Sequence, residues 1–120
     1  MQTTVAKLSR IAPELPATDL RASTQYYVER MGFTLAVEMQ DYAIVERDGV
    51  AIHLFQDVAR EQTPVGIHIF TPDLEELFAE FEAGGAKITQ PIEQKPWGNR
   101  EFRVKDEFGN ELKFTEPANE

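Results

Sequence analysis

Glu14-Leu15-Pro16-Ala17-Thr18-Asp19-Leu20 and His68-Ile69-Phe70-Thr71-Pro72-Asp73-Leu74 decide the fold, because the second stretch is the first met again. Laying Asp19-Leu20 on Asp73-Leu74 puts Leu15 on Ile69 and Tyr27 on Phe81 without a gap. Each stretch ends a short apolar run and opens a helical one. Thr18 or Asp19 caps a helix running to about Met31, where Gly32 is the stop signal. Leu20, Ser23, Tyr27 and Met31 recur at three- and four-residue steps and give it one buried face. Asp73 opens the second helix, with Leu74, Leu77, Phe78 and Phe81 on its apolar side and Gly84-Gly85 at its end.

The same order of elements extends outward from both anchors. Leu8 to Leu15 reads as a first strand, whose prolines at 13 and 16 suit a sheet edge or an exchanged arm. Phe33 to Met39, Tyr42 to Glu46 and Val50 to Gln56 read as strands, with Asp41 and Asp48-Gly49 marking turns. Val65 to Phe70 precedes the second helix. Ala86 to Gln90, Glu101 to Lys105 and Glu111 to Thr115 follow it, with a turn at Phe108-Gly109-Asn110. Laying Asp48-Gly49 on Gly109 aligns Ile52 with Leu112; this offset is longer than the first, and the surplus falls around Gln94 to Asn99. The chain is therefore predicted to be α+β, two copies of β-α-β-β-β. The modules are expected at about 8–56 and 65–115, joined by a polar linker at 57–64, within one domain over 1–120. One copy alone is too small to bury its sheet, so the two must share a structure.

A net charge of −9 argues against nucleic acid, whose phosphates need clustered Lys and Arg. It suits the steering of a cationic small molecule. With no cysteine, disulfides and thiolate metal sites are excluded. No apolar run approaches the roughly 18 residues of a membrane span, and Met1 to Lys7 lack a signal-peptide core, so the expected location is the cytoplasm. Ser9 and Ser23 sit in no nucleophile-elbow pattern, and Gly84-Gly85 lacks phosphate-loop spacing. The acidic run Asp73, Glu75, Glu76, Glu80 and Glu82 reads as a solvated helix face.

Two further stretches carry a resemblance. Pro13 to Leu20, Tyr26-Tyr27 and Met31-Gly32-Phe33 resemble the first module of bleomycin-resistance proteins. Trp97-Gly98-Asn99-Arg100-Glu101-Phe102 and Asp106-Glu107-Phe108-Gly109-Asn110 resemble the end of the second. The likeness spans residues 8–115 and points to the glyoxalase/bleomycin-resistance/dioxygenase superfamily, in its resistance-type branch. It implies curved mixed sheets around a cavity and a homodimer, often with the first strand exchanged between subunits.

Enzymes of that superfamily hold a divalent metal on the first and last strands of each module. Counted from the two Asp anchors and the turn glycines, those positions fall on Ala12, His53, Gly66 and Lys113. Ala12 and Gly66 cannot ligate, Lys113 would repel a cation, and a lone imidazole does not make a site. No metal or other cofactor is expected. A shifted centre would have to use Glu14, His53, His68 and Glu111, which strand alternation puts on the same inward faces.

Without metal or nucleophile, a cavity of this kind recognises rather than catalyses. His53, His68, Phe55 and Phe70 offer stacking surface, Glu14 and Glu111 offer acceptors for cationic groups, and Trp97 stands in a loop bounded by Pro and Gly. The expected ligand-binding residues are thus Glu14, His53, Phe55, His68, Phe70, Trp97 and Glu111. Trp97 reads equally as a structural anchor. The expected function is sequestration of a cationic, bleomycin-type glycopeptide antibiotic by a homodimer that engages neither nucleic acid nor membrane. The alternatives are a lyase, isomerase or dioxygenase using the shifted ligands, and a binder of another metabolite.

Overall fold

The computed structural model describes residues 5–118; the ends of the expected domain, 1–4 and 119–120, lie outside the described residues. Its elements run β1 (Glu14–Ala17), α1 (Leu20–Met31), β2 (Thr34–Glu38), β3 (Tyr42–Arg47), β4 (Val50–Gln56), β5 (Gly66–Phe70), α2 (Leu74–Gly84), β6 (Lys87–Gln94), β7 (Arg100–Lys105) and β8 (Glu111–Glu116). They build two four-stranded mixed sheets of the same design, ordered β1-β4-β3-β2 and β5-β8-β7-β6. In each, the first strand runs parallel to the last and the other pairings are antiparallel. The α+β fold of two βαβββ modules is the one read from the repeat.

Local chemistry explains the helix bounds. Asp19 caps α1 by accepting from the Ala22 amide at 3.1 Å, and Gly32 ends it in the left-handed region. At the start of α2 the Asp73 side chain makes no cap bond; the Thr71 hydroxyl instead accepts from the Asp73 amide at 3.0 Å. Between β3 and β4, Asp48 and Gly49 both take positive φ, 50° and 80°, as a two-residue hairpin turn matching the strand twist requires.

Two edge strands depart from the sequence reading. The sheet begins at Glu14 rather than Leu8, with the Pro13 carbonyl accepting the first ladder bond from the His53 amide at 3.0 Å. Residues 5–13 before it form no strand, and Ile11, within the stretch expected as strand, is 95% exposed. Strand β6 runs past Pro91 to Gln94, where the reading stopped at Gln90. An edge strand needs ladder bonds on one side only, and the register shifts between Ile88 and Glu93 accommodate the proline.

One core serves both modules. Leu15, Tyr27, Ile52 and Leu54 from the first are buried in the same cluster as Leu74, Phe81, Phe102, Leu112 and Phe114 from the second. Phe81, Phe102 and Phe114 pack ring against ring with centroids 5.1–6.0 Å apart. At the junction, Asp106 accepts from the amides of Phe108, Gly109 and Asn110, from the Asn110 side chain, and from the Tyr27 hydroxyl at 2.7 Å. Asn110 in turn donates to the Pro16 carbonyl at 3.0 Å and accepts from the Val65 amide. The acidic face of α2 is also tied down: Glu80 receives both guanidinium arms of Arg47, and Glu75 receives Arg100. All five acidic residues of that face nonetheless stay exposed, as a solvated helix face requires, and these are surface ion pairs.

Candidate functional site

Alternation along β4 and β8 sends Ile52, Leu54, Leu112 and Phe114 into the core and leaves the opposite face of each sheet free of helices. On the first sheet that open face carries Glu14 and His53 as direct cross-strand partners, and Phe55 opposite Tyr42. Tyr42 joins the group chemically: its hydroxyl lies 2.7 Å from Glu14 Oε2 and 2.6 Å from His53 Nδ1. Partial desolvation, then the hydrogen bond to Glu14, raises the Tyr42 phenol above its ordinary value, so it keeps its proton.

The open face of the second sheet is more heavily charged. His68, Lys113 and Arg103 lie in one cross-strand row, and Phe70, Thr115 and Glu101 in the next. His68 and Phe70 stack with centroids 6.0 Å apart, and His68 Nδ1 is 3.4 Å from the Thr115 hydroxyl. Arg103 bridges Glu101 at 2.8 Å and Glu111 at 3.2 Å. Burial opposes ionisation of Glu101, but the hydrogen bond and charge of Arg103 outweigh it and hold the carboxyl below its ordinary value. Glu111 is therefore already engaged by a cation and is a weaker acceptor for a ligand than the sequence reading supposed.

The seven expected binding residues thus fall into separate groups. Glu14, His53 and Phe55 share one sheet face; His68, Phe70 and Glu111 share the other. A pocket of about 460 Å³ is lined by residues 11–13 of the arm, Gly49 to Ile52, and Ile67 to Phe70. A larger cleft of about 550 Å³ runs from the β3–β4 turn to the first turns of α2. His68 and Phe70 line the first pocket; Glu14, His53, Phe55 and Glu111 line neither. Trp97 stands apart, 67% exposed in the Lys95–Gly98 turn of the β6–β7 hairpin, so it is no core anchor.

The residues do not fit the metal of the superfamily's enzymes. Ala12 lies in the arm before β1, Gly66 begins β5, and Lys113 pairs across the strands with His68. The shifted set is split between the sheets, and among the described residues no three His, Asp or Glu side chains gather to hold an ion. Tyr42 and Arg103 are the residues that the sequence reading missed. Both stand on middle strands, which a search confined to the first and last strand of each module passes over. Alternation along β3 would have found Tyr42 opposite Phe55.

The model of the Glyoxalase/Bleomycin resistance protein/Dioxygenase superfamily matches residues 7–114. No curated protein matches the chain. Solved structures do. TioX from Micromonospora sp. ML1 is 27% identical with a TM-score of 0.76, over 90% of this chain and 98% of that one. The bleomycin-binding protein of bleomycin-producing Streptomyces verticillus, solved with copper(II)-bleomycin, is 26% identical with a TM-score of 0.77, over 94% and 99%. Lactoylglutathione lyase from Agrobacterium tumefaciens reaches a TM-score of 0.76 over 94% and 97%, but at 18% identity the likeness is one of fold.

Proposed function

Because the chain belongs to the glyoxalase/bleomycin resistance protein/dioxygenase superfamily, whose fold serves both bleomycin binding and lyase chemistry, we propose that it is a metal-free binding protein for a cationic organic ligand of the bleomycin type. The observation that carries this reading is the open face of the first sheet. There Glu14, His53 and Tyr42 form one hydrogen-bonded acceptor group beside the ring of Phe55. A carboxylate and an imidazole next to an aromatic surface suit a flat molecule bearing amine or amidine groups. The net charge of −9 raises the encounter rate with such a cation. Ala12, Gly66 and Lys113 supply no ligands for a catalytic metal, so holding the molecule is the action and resistance follows from sequestration.

Within one chain the faces bearing Phe55 and Phe70 belong to different sheets. The proposed assembly is a homodimer, in which a second copy supplies the opposing wall of each site. Trp97, exposed at its hairpin tip, would close over the bound molecule.

Calorimetric titration with bleomycin, free and copper(II)-loaded, tests the proposal, alongside metal analysis of the purified protein. Saturable binding at micromolar affinity or tighter, about 8 kcal/mol or more, is expected. Phe55→Ala or Trp97→Ala should weaken it by about 1–3 kcal/mol in a folded protein. Absence of binding to either form would defeat the reading. Near-stoichiometric transition metal, lost on replacing His53 or His68, would favour a metal-dependent enzyme instead. Binding of another antibiotic from a panel, with bleomycin silent, would keep the binder and replace the ligand.

A further inference from the structure

The cluster of Glu14, Tyr42 and His53 has only one arrangement of protons that satisfies both of its hydrogen bonds. An ionised carboxylate only accepts, and a phenol carries a single proton. Glu14 Oε2, 2.7 Å from the Tyr42 oxygen, takes that proton as a hydrogen bond. The remaining contact, 2.6 Å between the Tyr42 oxygen and His53 Nδ1, then needs its hydrogen from the imidazole. The chain runs His53 Nδ1–H to Tyr42 Oη, and Tyr42 Oη–H to Glu14.

That direction fixes the other end of the ring. In neutral imidazole one nitrogen donates and the other accepts, and the partner of the first sets the role of the second. His53 Nε2 has no partner among the described residues, and no buried side-chain nitrogen or oxygen lacks one, so Nε2 is open to solvent. On the same face, Glu14 Oε1 is likewise without a protein donor.

We infer that Tyr42 locks His53 as its Nδ1–H tautomer, so that this face presents two acceptors, His53 Nε2 and a Glu14 oxygen, and selects cations carrying N–H donors over quaternary cations of equal charge. Tyr42 is a positioning residue, acting through His53. The selectivity rests on the open face of the first sheet being the ligand site; the tautomer does not. A quaternary ammonium can gain from Phe55 and from the carboxylate charge, but it gives Nε2 no hydrogen bond. An amidinium or guanidinium carries N–H donors that either acceptor can take.

Two measurements test this. The first is a long-range proton–nitrogen correlation spectrum of the ligand-free protein at pH 8, where a free imidazole is neutral. His53, assigned by its loss in His53→Gln, should show a protonated Nδ1 and an unprotonated Nε2; the reverse pattern overturns the inference outright. The second compares benzamidinium with phenyltrimethylammonium. The native protein should bind benzamidinium more tightly. Tyr42→Phe should weaken benzamidinium about 5- to 30-fold, the scale of one hydrogen bond, and leave phenyltrimethylammonium within about twofold. Equal loss for both probes would mean that Tyr42 only shapes the sheet, and overturns the selectivity. Should Tyr42→Phe fail to fold, the native spectrum and the native preference still decide. If neither cation binds while the tautomer is as inferred, it is the ligand-site reading that falls, and the donor preference with it.

Discussion

Asp106 joins the two modules through one carboxylate. It takes backbone amides of its own turn on one oxygen and Tyr27 with Asn110 on the other, all buried except the partly exposed Gly109 contact. Removing it leaves several buried donors without acceptors, so Asp106→Ala is expected to cost about 3–5 kcal/mol in denaturant unfolding. Tyr27 carries a pH signature of the same contact. Burial, and then the Asp106 carboxylate, push its phenol well above the ordinary 10.0. A group whose folded-state value is raised stabilises fully below its unfolded value and loses that contribution as pH rises through the folded one. Stability should therefore fall from about pH 10 upward, and Tyr27→Phe, less stable at neutral pH, should show a shallower alkaline decline in melts taken across pH 8–12. The Asp106–Gly109 turn was legible in the sequence because turn chemistry is local. Its bonds to Tyr27 and Pro16 were not, since these residues meet only once both modules have folded. The same reason hid the tie between Tyr42 and Glu14, whereas the open faces bearing His53 and His68 followed from alternation alone.

Helices α1 and α2 approach each other closely where Gly84 meets the backbone of Arg30. A Cβ built on Gly84 would stand 2.8 Å from the Arg30 carbonyl oxygen, against main chain that cannot swing aside. In an open helix, glycine to alanine gains up to about 1 kcal/mol of propensity. Here the clash dominates, and Gly84→Ala should destabilise by about 1–3 kcal/mol, read from urea midpoints at unchanged m. The contrast shows what sequence can say about an element. Asp19, Gly32 and Gly85 announce helix ends because capping involves only a few neighbouring residues. Gly84 reads as part of the same stop signal, and nothing local distinguishes a helix end from a helix crossing. Strands β1 and β6 were misplaced for a related reason. At a sheet edge, where ladder bonds begin and stop depends on the neighbouring strand, so neither Leu8 nor Pro91 revealed the boundary.

At the scale of the whole molecule, the arm is the feature a single chain leaves unexplained. Val5, Leu8 and Ile11 are 81%, 101% and 95% exposed, an apolar edge that a lone protein has no reason to show to water. If the proposed homodimer forms, sedimentation at tens of micromolar should give about twice 13.6 kDa. Deleting residues 1–10 should then weaken association at least about tenfold while the core stays folded, because Leu15 and the buried residues after it lie outside the deletion. Alternation within one chain separates inside from outside but does not tell water from a second copy, which is why the sequence could suggest an exchanged arm without placing it. The junction around Asp106 has a consequence of a different kind. Two copies of one motif look like separable repeats, and repeats that touch weakly melt in steps. Here Asn110 holds Pro16, Asp106 holds Tyr27, and Leu54 lies in one cluster with Phe114. Neither copy can open without exposing the other's interior. Scanning calorimetry should therefore record one endotherm with equal calorimetric and van't Hoff enthalpies, and the halves 1–60 and 61–120, prepared separately, should each be disordered by circular dichroism.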